Sequence, residues 1–146
     1  MAIGQIALFA QHPCRGGGAM KENTRFLLDK AESAIGAAET LLRDGYGDFS
    51  AGRAYYAMFY TVEALLAEKE LTFKKHIGVH KAFSEHFIKT GIFEQKYYHW
   101  LVTAFNSRMV GDYAIRTEFE DEEVRGWINQ AREFLNKVRE YLAANS

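Results

Sequence analysis

The segment from about Phe49 to Glu70 carries apolar or aromatic side chains around nearly its whole helical circumference. One face has apolar residues at helical spacing: Ala51, Tyr55, Met58, Val62, Leu65 and Leu66. Tyr56, Phe59 and Tyr60 occupy the other faces. A helix that is apolar all round is buried by other elements. We therefore predict a central helix over this segment, with Asp48 as its N-cap.

Four further helices are predicted by apolar side chains that recur every three or four residues. The first runs from about Thr24 to Asp44, the third from about His76 to Thr90, and the fourth from about Phe93 to Gly111. The fifth begins after Phe119, where four consecutive acidic residues suit a helix N-terminus. No segment alternates like a strand. The sequence therefore predicts an all-α fold, an up-and-down antiparallel bundle of about five helices.

Short connections favour antiparallel neighbours, so we expect the third helix to run antiparallel to the second and the fourth to run parallel to it. This topology would bring the segment Leu71–His76 to the same end of the bundle as Arg108–Tyr113. It would leave Arg53 and Tyr56 near the opposite end of the second helix, as bundle or dimer contacts.

Composition predicts one domain in a reducing compartment. The chain has 146 residues, 48% hydrophobic, and its formal net charge of −1 argues against a strongly basic nucleic-acid scaffold. Its one cysteine, Cys14, cannot form an internal disulfide, and no apolar run approaches the roughly 18 residues that suggest a membrane span. We expect a cytoplasmic protein without membrane contact.

Residues 1–19 differ from the rest of the chain. They contain the only proline, Pro13, and the run Gly16–Gly18, and they show no periodicity. We expect either a flexible arm or an artefact of start-codon assignment, with Met20 as the native start. Residues 20–146 then form a single helical-bundle domain.

Two charged residues continue the inward stripe of the fourth predicted helix. The stripe consists of Tyr97, Leu101, Ala104 and Phe105, and the same spacing reaches Arg108 and then Asp112. Buried charges are costly unless paired. One interpretation is a structural Arg108–Asp112 ion pair, and the other is a site in a cleft.

Basic residues at the start of the third helix form a second candidate feature. Lys74, Lys75, His76 and His80 would lie near Arg108 and could bind an anion. His76 has an unperturbed pKa suited to proton transfer, although a histidine at a helix start can simply cap it or face solvent. His76 and His80 have the spacing of two metal ligands, but no third ligand is evident. No metal site is predicted, and no glycine-rich loop suggests a nucleotide cofactor.

Several spaced motifs resemble those of one family. The run Ser50–Phe59 resembles the S-x-x-R-x-Y-Y-A-M-F helix of small prokaryotic HEPN-domain proteins. His76–Val79 with the residues up to Gly91 resembles the third helix of that branch, and Arg108 with Asp112–Tyr113 resembles its R-x-x-x-D-Y segment. The resemblance covers roughly residues 24–142.

The resemblance implies a helical bundle, usually a homodimer, often encoded beside a minimal nucleotidyltransferase as a toxin–antitoxin pair. Several HEPN branches are metal-independent RNases, in which an Arg and a His separated by four to six residues bind the scissile phosphate and assist attack by the 2′-hydroxyl. In this chain the corresponding positions hold Tyr113, Ala114 and Ile115. Tyrosine, with a pKa near 10, is a poor general base at neutral pH.

Two functions therefore remain open. The first is an RNase toxin in which Arg108 binds phosphate and His76 or Tyr113 assists proton transfer. The second is a non-catalytic HEPN module that binds a nucleotide or a partner nucleotidyltransferase, with Arg108 and Asp112 organising the cleft or only the bundle.

Overall fold

The computed structural model describes residues 20–113 and 119–145, and within them the side chains of residues 20–109 and 119–145. Its helices are α1 (Glu22–Arg43), α2 (Gly47–Glu68), α3 (His76–Phe83), α4 (Gln95–Tyr113) and α5 (Asp121–Ala144). A π-helical turn, Ser84–Ile88, continues α3. No strand occurs in this part of the chain, which confirms the all-α prediction. Residues 1–19, with Cys14 and the predicted arm, lie outside the described residues.

α2 is the central helix, as its all-round apolar pattern predicts, because it packs against all four other helices. Its buried side chains include Tyr55, Ala57, Met58 and Val62, none of which has any exposed surface. The predicted N-cap is wrong. The helix begins at Gly47, and Asp48 lies in its first turn, where a negative charge still favours the helix dipole.

The first two helices end with the same backbone arrangement. At the end of α2, the Leu71 N–H donates to Leu66 O (2.9 Å) and the Glu70 N–H donates to Ala67 O (2.9 Å). This pattern requires a left-handed residue, which is Glu70 here (φ +61°), while Gly45 (φ +92°) has that role after α1. The left-handed residue reverses the chain direction, so the segment after α2 can return along the helix.

That return explains why the predicted direction of the third helix is wrong. His76, at the start of α3, lies against Tyr55 in the first half of α2, whereas the ring of Phe87 lies 5.7 Å from Lys69 at the end of α2. α3 therefore runs parallel to α2. The seven residues between the two helices can span roughly 24 Å, enough to return along most of α2.

The direction of the fourth helix changes as a consequence. Arg108, in the C-terminal part of α4, lies beside Tyr56 in the first half of α2, so α4 runs antiparallel to α2. α5 begins beside the start of α2, because a Cβ on Gly47 would lie 3.9 Å from Val124. The four long helices thus alternate in direction, which confirms the up-and-down bundle, and the short α3 is an extra segment within it.

The outer helices close the core around α2. The buried side chains of α5 are Val124, Trp127, Ile128, Ala131, Phe134, Leu135, Val138 and Leu142, and Tyr141 is half-buried. Glu32 on α1 accepts hydrogen bonds from Arg132 (2.6 Å) and Arg139 (2.9 Å) on α5, which links the two helices at the surface. Within residues 20–113 and 119–145, none of the helices combines the length and apolarity needed to cross a bilayer.

Alanine at two glycines should change stability in opposite directions. Gly36 is an exposed position inside α1 with open space around its Cβ site, so Gly36→Ala should stabilise the fold by about 0.5–1 kcal/mol. Gly91 has φ +81°, so Gly91→Ala should destabilise it by about 1–2 kcal/mol. Urea unfolding of both variants measures the difference. An equal effect of the two substitutions would contradict the described backbone.

Candidate functional site

Two arginines from different helices lie against one tyrosine ring. The guanidinium Cζ of Arg53 lies 4.9 Å from the ring centroid of Tyr56, and that of Arg108 lies 5.1 Å from it. Arg53 and Tyr56 share a face of α2 because they are three residues apart, and the antiparallel α4 brings Arg108 to the same ring. Each such contact contributes roughly 0.5–2 kcal/mol. The aromatic ring thus contacts two positive charges, one from each helix.

These side chains line an open depression of about 390 Å³ beside the start of α2. Its lining residues are Leu41, Asp48, Phe49, Gly52, Arg53, Tyr56 and Arg108. Two guanidinium groups and a single carboxylate make the lining positive on balance. Guanidinium forks match the oxygen geometry of phosphate, so the depression is suited to a phosphate-bearing ligand.

His76 lies beside this depression. Its ring stacks on Phe59 with centroids 4.3 Å apart, and meets Tyr56 edge-to-face at 5.8 Å. Burial and the nearby positive charge of Arg108 both lower the pKa of His76. The imidazole is therefore neutral at pH 7. It can accept a proton from a group that lies near Arg108.

Behind His76 the Tyr55 hydroxyl is within hydrogen-bond distance of two histidines. It lies 2.8 Å from His76 Nδ1 and 2.9 Å from His80 Nε2. Tyr55 is completely buried and His80 is 5% exposed. Burial, and then the nearby His76, lower the pKa of His80 to about 4, while burial raises the pKa of Tyr55. Both groups are therefore neutral over the physiological pH range.

The structure brings together some of the residues singled out in the sequence and corrects the placement of others. Arg108 and His76 both lie against the Tyr56 ring, which is in the first half of α2 and not at its end. Arg53 and Tyr56 belong to the same cluster, so their predicted placement at the opposite end from His76 is wrong. Their three-residue spacing within the Arg-x-Tyr-Tyr run was the available signal for a shared face.

The predicted basic residues have different environments. Lys74 and Lys75 are exposed and directly precede His76. His80 is buried and uncharged, so it does not add positive charge to the surface. Asp112 and Tyr113 fall in the last turn of α4, in a stretch whose side chains lie outside the described part of the structure. Among the described residues, no three His, Cys, Asp or Glu side chains converge as metal ligands.

The buried neutral His80 predicts a loss of stability on acidification. The unfolded chain protonates His80 below its ordinary pKa near 6.5, whereas the folded chain does so only near pH 4. The free energy of unfolding should therefore fall as pH decreases between these values, by about 3 kcal/mol in total. Urea unfolding between pH 7 and pH 4 measures the slope. His80→Gln should flatten it, and substitution of the exposed His86 by Gln should not; equal slopes would contradict this assignment.

Comparison with known proteins agrees with the all-α fold. A sequence model of the HEPN domain matches residues 24–141. A Methanocaldococcus jannaschii protein named "Putative toxin" is 37% identical over 126 residues, covering 86% of each chain. A UPF0332 protein of Thermotoga maritima is also 37% identical, over 77% of this chain and 86% of its own. A second M. jannaschii "Putative toxin" is 32% identical over 84% of this chain and 91% of its own. The chain belongs to the HEPN domain family.

Proposed function

We propose that this toxin-like HEPN protein binds RNA in the depression between α2 and α4 and cleaves it without a metal ion. The observation that carries the proposal is the group formed by Arg53, Arg108 and neutral His76 around the Tyr56 ring. Two guanidinium groups supply phosphate binding, and a neutral imidazole supplies a proton acceptor. The relatives named as toxins support a toxin-like role for the chain.

The chemistry assigned to these residues is transesterification within RNA. His76 accepts the proton of a ribose 2′-hydroxyl while its oxygen forms a bond to the adjacent phosphorus. The bond from phosphorus to the 5′-oxygen breaks, and that oxygen takes a proton from water. Arg53 and Arg108 stabilise the charge that develops on the phosphoryl oxygens. The products are a 2′,3′-cyclic phosphate end and a free 5′-hydroxyl end.

Other residues named from the sequence have supporting roles in this proposal. Lys74 and Lys75, exposed just before His76, contact the RNA backbone on either side of the cleaved bond. Asp112, four residues after Arg108 in the sequence, is included in the proposal as a further binding residue. Tyr113 is the second candidate for proton transfer, because it follows Arg108 where the family pattern has its histidine.

A non-catalytic role is the second candidate function. It is favoured by the residues at the family's histidine positions, which are Tyr113, Ala114 and Ile115. In this case the same arginines bind a nucleotide, or a minimal nucleotidyltransferase as protein partner, and no RNA is cleaved. Binding of an RNA oligonucleotide without any cleavage would favour this function over the first.

We also propose that the protein is a homodimer. Phe49 is 69% exposed and Tyr46 is 55% exposed, and their rings contact each other edge-to-face at the start of α2. Adjacent exposed aromatic side chains are costly in water and are enriched where protein surfaces meet. A second copy of the chain covers this face in the proposal.

Arginine variants test the phosphate site. Arg108→Ala and Arg53→Ala should each weaken binding of a short single-stranded RNA about tenfold, and should reduce the salt dependence of binding by about one ion. Arg108→Ala should also slow cleavage by about 100-fold or more. Fluorescence anisotropy and product analysis in EDTA measure both effects.

The matched control is Arg25→Ala, because Arg25 is an exposed arginine on α1 that lies outside the depression. It should bind and cleave like the unmodified protein. RNA affinity that is unchanged in Arg108→Ala would contradict the site, and no cleavage by unmodified protein under any partner-free condition would contradict the catalytic role.

Light scattering tests the dimer. The expected mass is about twice the 16.7 kDa of one chain. Phe49→Asp should give the monomer mass, because a carboxylate would be desolvated at the covered face. The control Ile92→Asp changes another exposed apolar residue, on the turn before α4, and should leave the dimer intact. A monomer at micromolar concentration of the unmodified protein would contradict the proposal.

A further inference from the structure

The Tyr55 hydroxyl group cannot treat its two histidine neighbours alike. A phenol has one proton to donate and oxygen lone pairs that accept. Tyr55 Oη lies 2.8 Å from His76 Nδ1 and 2.9 Å from His80 Nε2. It can donate to only one of these nitrogens, and the other nitrogen must donate to it. The protonation of the two rings is therefore linked through one hydroxyl.

Protonation of His76 determines the direction of both hydrogen bonds. In the charged imidazolium both ring nitrogens carry hydrogen, so Nδ1–H of His76 must donate to Tyr55 Oη. The Tyr55 O–H must then donate to His80 Nε2, which accepts only if His80 keeps its proton on Nδ1. Because His80 is 5% exposed and lies next to His76, a second positive charge there would be costly. When His76 is charged, His80 therefore stays neutral and accepts the hydrogen bond from Tyr55.

We propose that Tyr55 and His80 are positioning residues for His76, joined as a hydrogen-bond chain that stabilises its protonated ring and leaves Nε2 to exchange the proton with substrate. This inference rests on the proton-transfer role given to His76 in the proposed function. The hydrogen bonds that join His76, Tyr55 and His80 can be detected without RNA. It gives a role to the first tyrosine of the Tyr55-Tyr56 pair and to the second histidine of α3.

Charged and titratable groups around His76 come from three helices. α2 provides Tyr55 and Tyr56, α3 provides His80, and α4 provides Arg108. On α2, Glu63 also acts on Tyr55 through its charge. Arg108 opposes protonation of His76, and the hydrogen-bond chain favours it. A phosphate bound at Arg108 would offset that positive charge, so His76 should become more basic when RNA occupies the depression.

Histidine NMR tests the chain directly. In Tyr55→Phe the Nδ1–H of charged His76 loses its acceptor, so its pKa should fall by about one unit, a tenfold loss of proton affinity. The control Tyr60→Phe removes a hydroxyl from the same helix outside the chain and should leave the pKa of His76 unchanged. In the unmodified protein, nitrogen-15 spectra at a pH where His76 is charged and His80 is still neutral should show His80 Nε2 without hydrogen. A His80 Nε2–H under those conditions, or an unchanged His76 pKa in Tyr55→Phe, would overturn the proposal.

A second pair of variants tests the end of the chain. His80→Leu removes the acceptor of the Tyr55 O–H, so the hydroxyl should turn to His76 Nδ1 and lower the pKa of His76 as well. His80→Gln supplies a carbonyl oxygen as acceptor and should restore most of that pKa. If His80 acted on His76 only through packing, His80→Gln would not give a higher pKa of His76 than His80→Leu. Equal His76 pKa values in both would overturn the chain.

The same variants separate this inference from the proposed function. If the unmodified protein cleaves RNA, the acidic limb of its pH–rate profile should move with the pKa of His76 in Tyr55→Phe. If it does not cleave RNA while the NMR results are as expected, the hydrogen-bond chain is supported and the catalytic role of His76 is what fails.

Discussion

The burial of α2 by all four other helices is the constraint on which the rest of the structure depends. A helix in this position buries most of its side chains, so each buried polar atom that it carries needs a hydrogen-bond partner. The hydroxyl of Tyr55 is such an atom, and it is completely buried. The two histidines of α3 supply its partners. The position of α3 is thus coupled to the core by polar contacts as well as by apolar packing.

Neighbouring tyrosines of α2 have different tasks because successive helical residues point about 100° apart. Tyr55 points into the core and meets His76 and His80. Tyr56 is partly exposed and carries the two guanidinium groups. His76 contacts both tyrosine rings, so it connects the buried pair of hydrogen bonds to the open depression. The site is therefore an extension of the core and not a separate surface feature.

Local patterning predicted the helices well and their directions poorly. The spacing of apolar residues identified every helix and the central place of α2, because buried positions are occupied mainly by apolar residues. The direction of α3 was not predictable in the same way. A seven-residue connection can place the next helix antiparallel to α2, or it can first run back along α2 and place the next helix parallel to it. The error then passed to α4 and separated Arg53 and Tyr56 from Arg108. The neutral state of His80 depends on its burial against α2 and α4, which sequence spacing does not reveal.

The connection between α2 and α3 has a consequence for reading related sequences. Its seven residues, which include the reversal at Glu70, determine how far back along α2 the next helix starts. The length of this connection therefore decides whether α3 can begin beside Tyr55. A chain with a connection several residues shorter could not bring its third helix to that level, even if it kept both tyrosines and both histidines. Loop length, as much as residue identity, is therefore a sequence marker for this arrangement.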